Sequence, residues 1–387
     1  MANAVILAAQ RTAVGTAFKG SLRAVPASEL SVPVVRAALD ASRTGDSDID
    51  DLVLAESLYG GGDLARYTAL ELGMAGVPGL ALNRHCAGGL TAVSLAAARV
   101  AHGPEQVIVA GGAQSSSTAP ILRQRTDPTR EWLSQSHRPT DDAPADDMSI
   151  TVGWNAAVTH GISRLEMDEW ALRSHRRATA ATAAGQFKDE IVPVTIRSED
   201  GSVSTFDIDE HPRLDTSMKR LSALRVLHPE IDGFSITAGN SSGINDGAAA
   251  LIVASETFAS SIDATPLAVI RGWATVGVEP ARTGTAAINA IEKVLKITGL
   301  TPDMIDLWEI NEAFAAVPIA AVGALGLDDS LVNPWGSGCS LGHPVAASGA
   351  RMLTTLSHEL SRRGRGFAVA AMCAGGGMAS AVVISAD

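Results

Sequence analysis

The residues best suited to nucleophilic or acid–base chemistry are two cysteines and a histidine in glycine-rich settings. Cys86 lies in NRHCAGGLTAVSLAAARV, at the start of a helix with Ala/Leu periodicity. A helix N-terminus offers unpaired N–H groups and the positive end of a dipole. Both favour a thiolate and lower a thiol pKa; the competing reading is a buried structural cysteine. Cys373 lies in MCAGGGMAS after a strand expected over 367–372. Three successive glycines there can bring backbone N–H groups close to a ligand oxygen, or simply close a crowded turn. Cys339, in GSGCSLGHP, reads as a small apolar filler. His343 precedes Pro344, which holds it extended and suits the first position of a helix. Cysteine–histidine pairing is the usual route to an activated thiol. Asn311 and Glu312 follow an apolar strand in EINEAFAAVP. Asn311 is either a turn residue or a group that orients a water or a carbonyl. Glu312 is either a general base or a charge at a helix N-terminus.

The elements that must position these residues repeat. DIDDLVLAE at 48–56 matches DMIDLWEIN at 303–311, each after a helical stretch (34–42 and 286–298) and a glycine turn. Stretches that begin at His85–Cys86 and at His343 continue into the Ala-rich helices LTAVSLAAARVAHG and VAASGARMLTTLSHELSRRG. Each leads to a strand that breaks into glycines, VIVAGGAQS and FAVAAMCAGGGMAS. Asp51 and Asp306, Cys86 and His343, and Gly111 and Gly375 stand 255, 257 and 264 residues apart. Three ordered matches at a nearly constant offset indicate two homologous α/β halves. Two helix starts facing across a pseudo-dyad would bring nucleophile and base together. The alternation of helices and strands implies a parallel or mixed sheet covered by helices.

The stretch between the halves differs. Residues 120–147 are rich in Arg, Asp, Ser, Thr and Pro and read as an irregular surface loop. Residues 161–184 read as a helix with a capping box from Ser163 to Glu166. Residues 189–208 read as a hairpin around Asp200–Gly201, 211–232 as basic and partly helical, and 237–250 as a glycine-rich connector to a strand over 251–255. At 387 residues the chain exceeds one ordinary core. Its net charge of −12 argues against nucleic acid as a main partner. Three cysteines make no disulfide framework and point to a reducing compartment. MANAVILAAQRT reads as a first strand rather than a leader, SAD carries no lipidation or peroxisomal signal, and no apolar run reaches the ~18 residues of a membrane span. The absence of a close His/Cys/Asp cluster implies no metal.

Taken in order, RTAVGTAFKGSL, NRHCAGGLTA, TAGNSSGINDGAAA, NEAFA, GHPVAASGAR and CAGGGMAS resemble the thiolase family from end to end. The resemblance implies an α/β fold of two βαβαβαββ halves in an αβαβα layering with an inserted loop domain. The halves would be 1–119 completed by 236–264, and 265–387, with 120–235 as a CoA-binding loop domain. It implies Cys86 as the acyl-carrying nucleophile, His343 as its base, Cys373 as a second acid/base, and Asn311 as the holder of a water in an oxyanion hole with His343. Backbone N–H groups of Cys86 and Gly375 would form the other hole. Ser242, Ala238, Met148 and Phe314 match positions near pantetheine and the acyl thioester, and Arg213 a position near the adenine nucleotide. Coenzyme A would be substrate and product, with no permanently bound cofactor, in a cytoplasmic homodimer or homotetramer.

Several positions depart from the family pattern: Gly88, Gln114, Trp335, Ser337, Ala346, and MSITVG with Asp147 before it. They imply an altered acyl pocket. The implied activity is reversible condensation or thiolytic cleavage of 3-oxoacyl-CoA. The alternatives are a related condensing enzyme using acyl carrier protein, and a non-catalytic scaffold. Condensing enzymes pair the cysteine with two histidines or a histidine and an asparagine, so Cys373 favours the thiolase.

Overall fold

Strands that are apolar on both faces must be covered by helices on both sides. The computed structural model describes residues 3–197 and 200–386. The N-terminal half contains β1 (Ala4–Thr12), α1 (Ala27–Ser42), β2 (Asp51–Ala55), α2 (Leu64–Glu71), β3 (Gly79–Leu82), α3 (Gly88–His102), β4 (Val107–Gln114) and, after the insertion, β5 (Asn245–Ser255). Its strands run β3–β2–β4–β5–β1 across the sheet. The insertion carries one long helix, α4 (Arg164–Ala183). The C-terminal half contains β6 (Ala268–Gly277), α5 (Ala286–Thr298), β7 (Leu307–Ile310), α6 (Ala316–Leu325), α7 (Ser348–Arg363), β8 (Gly366–Ala374) and β9 (Met378–Ala386). Its order is β7–β8–β9–β6.

The halves join where Ala4, Val5 and Ile6 of β1 pair antiparallel with Ile270, Val269 and Ala268 of β6. Pairing is parallel in β2/β3, β2/β4 and β7/β8 and antiparallel elsewhere along the path, so the sheet is mixed. One half has the full expected βαβαβαββ order. In the other, the third strand shrinks to a single bridge between Val332 and Trp308.

The layering follows from which residues share a core. One core packs α3 and α7 between both halves, with Leu90, Val93, Leu353 and Leu356 against Ile108, Leu251, Met372 and Val382. A second places α1 and α2 on the outer face of the first half. A third places α5 and α6 on the outer face of the second. The sequence of layers is helix, sheet, helix, sheet, helix, as expected. Small residues let the central helices meet at backbone distance. A Cβ on Gly89 would lie 2.6 Å from the Ala350 nitrogen, and one on Gly349 would lie 2.4 Å from the Leu90 nitrogen.

The insertion is largely as read. Ser163 caps α4 and Glu166 Oε2 accepts from the Ser163 N–H at 2.7 Å. Val194–Arg197 pairs with Val203–Phe206; Ser198 and Glu199, within the expected hairpin, lie outside the described residues. Three expectations shift. Residues 120–147 are not wholly irregular, since Arg123–Gln124 pairs antiparallel with Asp127–Glu131. The connector over 237–250 is half strand, since β5 begins at Asn245. The first helix begins at Ala27 rather than 34, because Pro33 falls within its early turns and Pro26 caps it.

Candidate active site

Cys86 sits two residues before α3, and Cys373 sits near the end of β8. Cys86 is half-buried as a residue, while Cys373 is buried. The Gly375 N–H and the Cys86 N–H lie near enough to the Cys86 sulfur to favour its thiolate. Cys373 lies close enough to feel a charge on Cys86. The structure thus gathers two thiols and two backbone donors at one point.

The expected low pKa for Cys86 is not found. Burial pushes its thiol up to about 11, and the two N–H groups offset only part of that. The helix-start effect loses to desolvation of the charged form. Cys373 is pushed up further, first by burial and then by Cys86. Cys339 is raised by burial and by Glu312, and its Sγ contacts the Glu312 carbonyl at 3.6 Å, which fits a packing role.

His343 is buried at the entry to α7 after Gly342, whose φ of 98° suits glycine. Its backbone N–H donates to Asn245 Oδ1 at 2.9 Å. Its Nδ1 lies 2.6 Å from Ser348 Oγ. Ser348 spends its one hydroxyl proton on the Pro344 carbonyl, 2.9 Å away. It therefore accepts from Nδ1–H, which leaves the Nε2 lone pair free. Burial, then the charge of Arg351, lowers the His343 pKa to about 4, so the ring is neutral at pH 7. The Cys86 thiol and the His343 imidazole are therefore both neutral at pH 7.

Among the described residues, the buried polar atoms with no partner include His343 Nε2 and both amide atoms of Asn311. Native interiors rarely tolerate this away from ligand sites. Segment 237–245 ties these groups together. Ser242 N donates to the Ala313 carbonyl at 2.9 Å, Ala315 N donates to the Asn240 carbonyl at 2.9 Å, and Ile244 bridges His343. Phe314 bridges Ser241 and packs on Gly153, beside the partly buried Met148. Met148 Sδ also faces Gly375, 3.9 Å from where a Cβ would stand. Ala238 is exposed along the same segment. Arg213 is exposed, and its N–H donates to His175 Nδ1 at 3.2 Å. The neighbouring His211 ring lies against Gly243, so Arg213 stands on the side that presents Ser242.

Glu312 is neither of the two roles read for it. Its carboxylate is buried and accepts from Trp170 Nε1 at 2.8 Å, Asn333 Nδ2 at 2.9 Å, Ser174 Oγ at 2.6 Å and Cys339 N at 3.1 Å. With those donors it anchors the loops that carry Asn311 and His343 and has no free lone pair in the site.

The residues that depart from the family pattern have defined partners. Ser337 Oγ donates to Glu309 at 3.0 Å within the buried Arg351–Glu309 pair. Trp335 packs on Ala178, Phe187 and Leu341. Gln114 accepts from Ser57 Oγ at 2.7 Å. A Cβ on Gly88 would stand 2.8 Å from Ala55 Cβ, and the Ala346 carbonyl lies where a Cβ on Gly112 would fall. Asp147 accepts from His228 Nε2 at 2.7 Å.

Ser348, Asn245 and Thr283 were missed by sequence reasoning. Thr283 Oγ1 accepts from the Gly377 N–H at 3.0 Å and so braces the CAGGG turn. The only signal for Ser348 was a hydroxyl one helical turn into GHPVAASGAR. Among the described residues, no group of three His, Cys, Asp or Glu side chains is placed to hold a metal, and no helix is long and apolar enough to cross a membrane.

The thiolase N-terminal domain matches residues 4–257 and the thiolase C-terminal domain matches residues 264–386. An acetyl-CoA acetyltransferase of Chromobacterium violaceum is 40% identical over 98% of both chains. The crystal structure of the Bacillus anthracis acetyl-CoA acetyltransferase superposes with a TM-score of 0.91 at 36% identity, covering 100% of this chain and 99% of that one. Human mitochondrial 3-ketoacyl-CoA thiolase superposes with a TM-score of 0.90 at 34% identity over the same shares. With both halves matched and the fold shared along its whole length, this chain belongs to the thiolase family.

Proposed function

We propose that the protein is an acetyl-CoA C-acyltransferase that forms or cleaves 3-oxoacyl-CoA through an acyl group carried on Cys86. The observation that carries this reading is that buried His343 Nε2 and both amide atoms of Asn311 have no partner, together with the placing of Cys373 and the Gly375 N–H near the Cys86 sulfur.

His343 Nε2 takes the Cys86 proton as sulfur attacks the thioester carbonyl of an acyl-CoA. The carbonyl oxygen gains charge as the C–S bond forms, and the Gly375 and Cys86 N–H groups stabilise it. The tetrahedral intermediate expels CoA thiolate, which leaves as the thiol with the proton from His343. A thiol nucleophile suits the exchange because one thioester replaces another and neither direction is strongly uphill. Cys373 then passes its thiol proton to the neutral His343, and the resulting thiolate takes an α-proton from a second acyl-CoA. The enolate oxygen is stabilised by a water held by Asn311 and His343 Nε2. The carbanion attacks the acyl-enzyme carbonyl, the new carbon–carbon bond forms, and Cys86 leaves as the thiol with the proton held by His343. Cleavage runs the same steps in reverse.

Segment 120–235, with Met148 and Arg213, would hold CoA together with Ala238, Ser242 and Phe314. The protein would work as a cytoplasmic homodimer or homotetramer. Peptide mass spectrometry after incubation with acetyl-CoA should place the adduct on Cys86, and Cys86→Ala should abolish CoA-dependent cleavage of acetoacetyl-CoA. An adduct on Cys339 would sink the assignment.

A further inference from the structure

His85 is the residue of the nucleophile's neighbourhood that the mechanism leaves unused. It precedes Cys86, and its backbone takes a φ of 45°, uncommon for a residue with a side chain. Its N–H donates to Asn83 Oδ1 at 2.8 Å, which holds that turn. A non-glycine residue kept in this region points to a constraint on where its side chain goes.

The ring goes to Gly375. A Cβ built on Gly375 would stand 3.7 Å from His85 Cγ, 3.9 Å from His85 Cδ2 and 3.9 Å from Met148 Sδ. All three are ordinary van der Waals distances. The imidazole and the thioether therefore flank a slot about one methylene wide, floored by the glycine whose N–H lies near the Cys86 sulfur. An acyl chain held on Cys86 with its carbonyl oxygen at that N–H has this slot as its neighbour. Gly376 beyond it packs against Ser136, 3.0 Å from where a Cβ would stand, so no added atom fits there and the slot is short.

His85 is half-buried, and neither ring nitrogen makes a hydrogen bond to another described residue. Burial lowers its pKa, so the neutral ring offers one donor and one acceptor. A slot meant for plain hydrocarbon has no use for such a ring, because an apolar chain against it strips water from both nitrogens without replacement.

We propose that His85 is the specificity-determining residue of this site, selecting short acyl chains that carry a hydrogen-bonding oxygen past the β-carbon over chains that end in methyl. This rests on the acyltransferase reading above and names its substrate class.

The test measures kcat/KM for CoA-dependent cleavage of three six-carbon 3-oxoacyl-CoA esters, ending in methyl, hydroxyl and carboxyl. Wild type should favour at least one oxygen-bearing ester over the methyl ester by roughly tenfold, the scale of one buried hydrogen bond. The hydroxyl and carboxyl arms tell a neutral partner from an anionic one. His85→Leu should lower that ratio to about one or below. His85→Asn, which tolerates the same backbone and keeps a donor and an acceptor, should retain part of it. Because the readout is a ratio, a general loss of activity cancels, and the wild-type ratio stands even where a variant fails to fold. Equal or better cleavage of the methyl ester by wild type would overturn the proposal while leaving the acyltransferase reading intact. Failure to cleave any 3-oxoacyl-CoA would instead overturn that reading.

Discussion

Replacing Ser348 by alanine tests whether the hydroxyl at His343 Nδ1 sets the direction of proton transfer at that ring. Ser348 is fully buried, accepts from Nδ1–H at 2.6 Å and donates to the Pro344 carbonyl at 2.9 Å. Without the hydroxyl, the imidazole faces two outcomes. It keeps Nδ1–H with no acceptor, at a cost of about 1–3 kcal/mol for a buried unsatisfied donor. Alternatively it moves the proton to Nε2, where it no longer accepts from Cys86. Either way the competent base becomes less favourable by roughly 1–2 kcal/mol, a loss of about 5- to 30-fold in acylation. With the thiol pushed up to about 11 and the imidazole down to about 4, proton transfer from Cys86 to His343 is already uphill, and the loss of the hydroxyl adds to that climb. The assay is single-turnover release of CoA from acetyl-CoA with enzyme in excess. Thermal melting separates a folding defect from a chemical one, and ¹⁵N NMR of His343 reports the tautomer. Acylation within twofold of wild type, with the proton still on Nδ1, would refute the reasoning.

Cys373→Ala should still accept an acetyl group on Cys86 but fail to condense. Exchange of acetyl-CoA α-protons with deuterated water, followed by NMR, should fall about 10²–10⁴-fold, and near-wild-type exchange would move the carbon-acid base to another residue. Stability should depend on pH at both ends. His343 and His175 are held near 4 when folded, against 6.5 unexposed to these forces. Their contribution is therefore fully present above about pH 6.5 and lost as pH falls toward 4, up to roughly 3 kcal/mol each, readable as a falling urea midpoint. For the three thiols the sign reverses. Burial raises them, so their contribution is present below the unfolded thiol pKa and is lost as pH rises past about 9. Alkylation of Cys86 by iodoacetamide should accordingly keep rising from pH 7 to 10, and a plateau near neutrality would show a thiolate that the burial argument forbids.

Much of the architecture is written along the chain because it is local. The Ala-rich helices behind Cys86 and His343, the capping box at Ser163 and Glu166, and the paired glycine-ended strands are patterns of neighbours. The 255- to 264-residue offset turns them into two matching halves. The candidate residues at Cys86, His343, Cys373 and Asn311 were legible for the same reason, since each stands at an element end marked by glycine or proline. What tertiary structure alone decided is the environment of those residues. Whether a helix start lowers the Cys86 pKa depends on how much water reaches the sulfur, and that is set by Cys373, Gly375 and the second half of the chain. Glu312 reads as a charge beside a catalytic asparagine until Trp170, Ser174, Asn333 and Cys339, up to 142 residues away, arrive to occupy it. The same holds for His85. Its type is plain in the sequence, but only the return of β8 places Gly375 against its ring, with Met148 Sδ near the same glycine. Periodicity and capping travel with the chain, whereas desolvation and hydrogen-bond satisfaction are properties of whatever folds around a group.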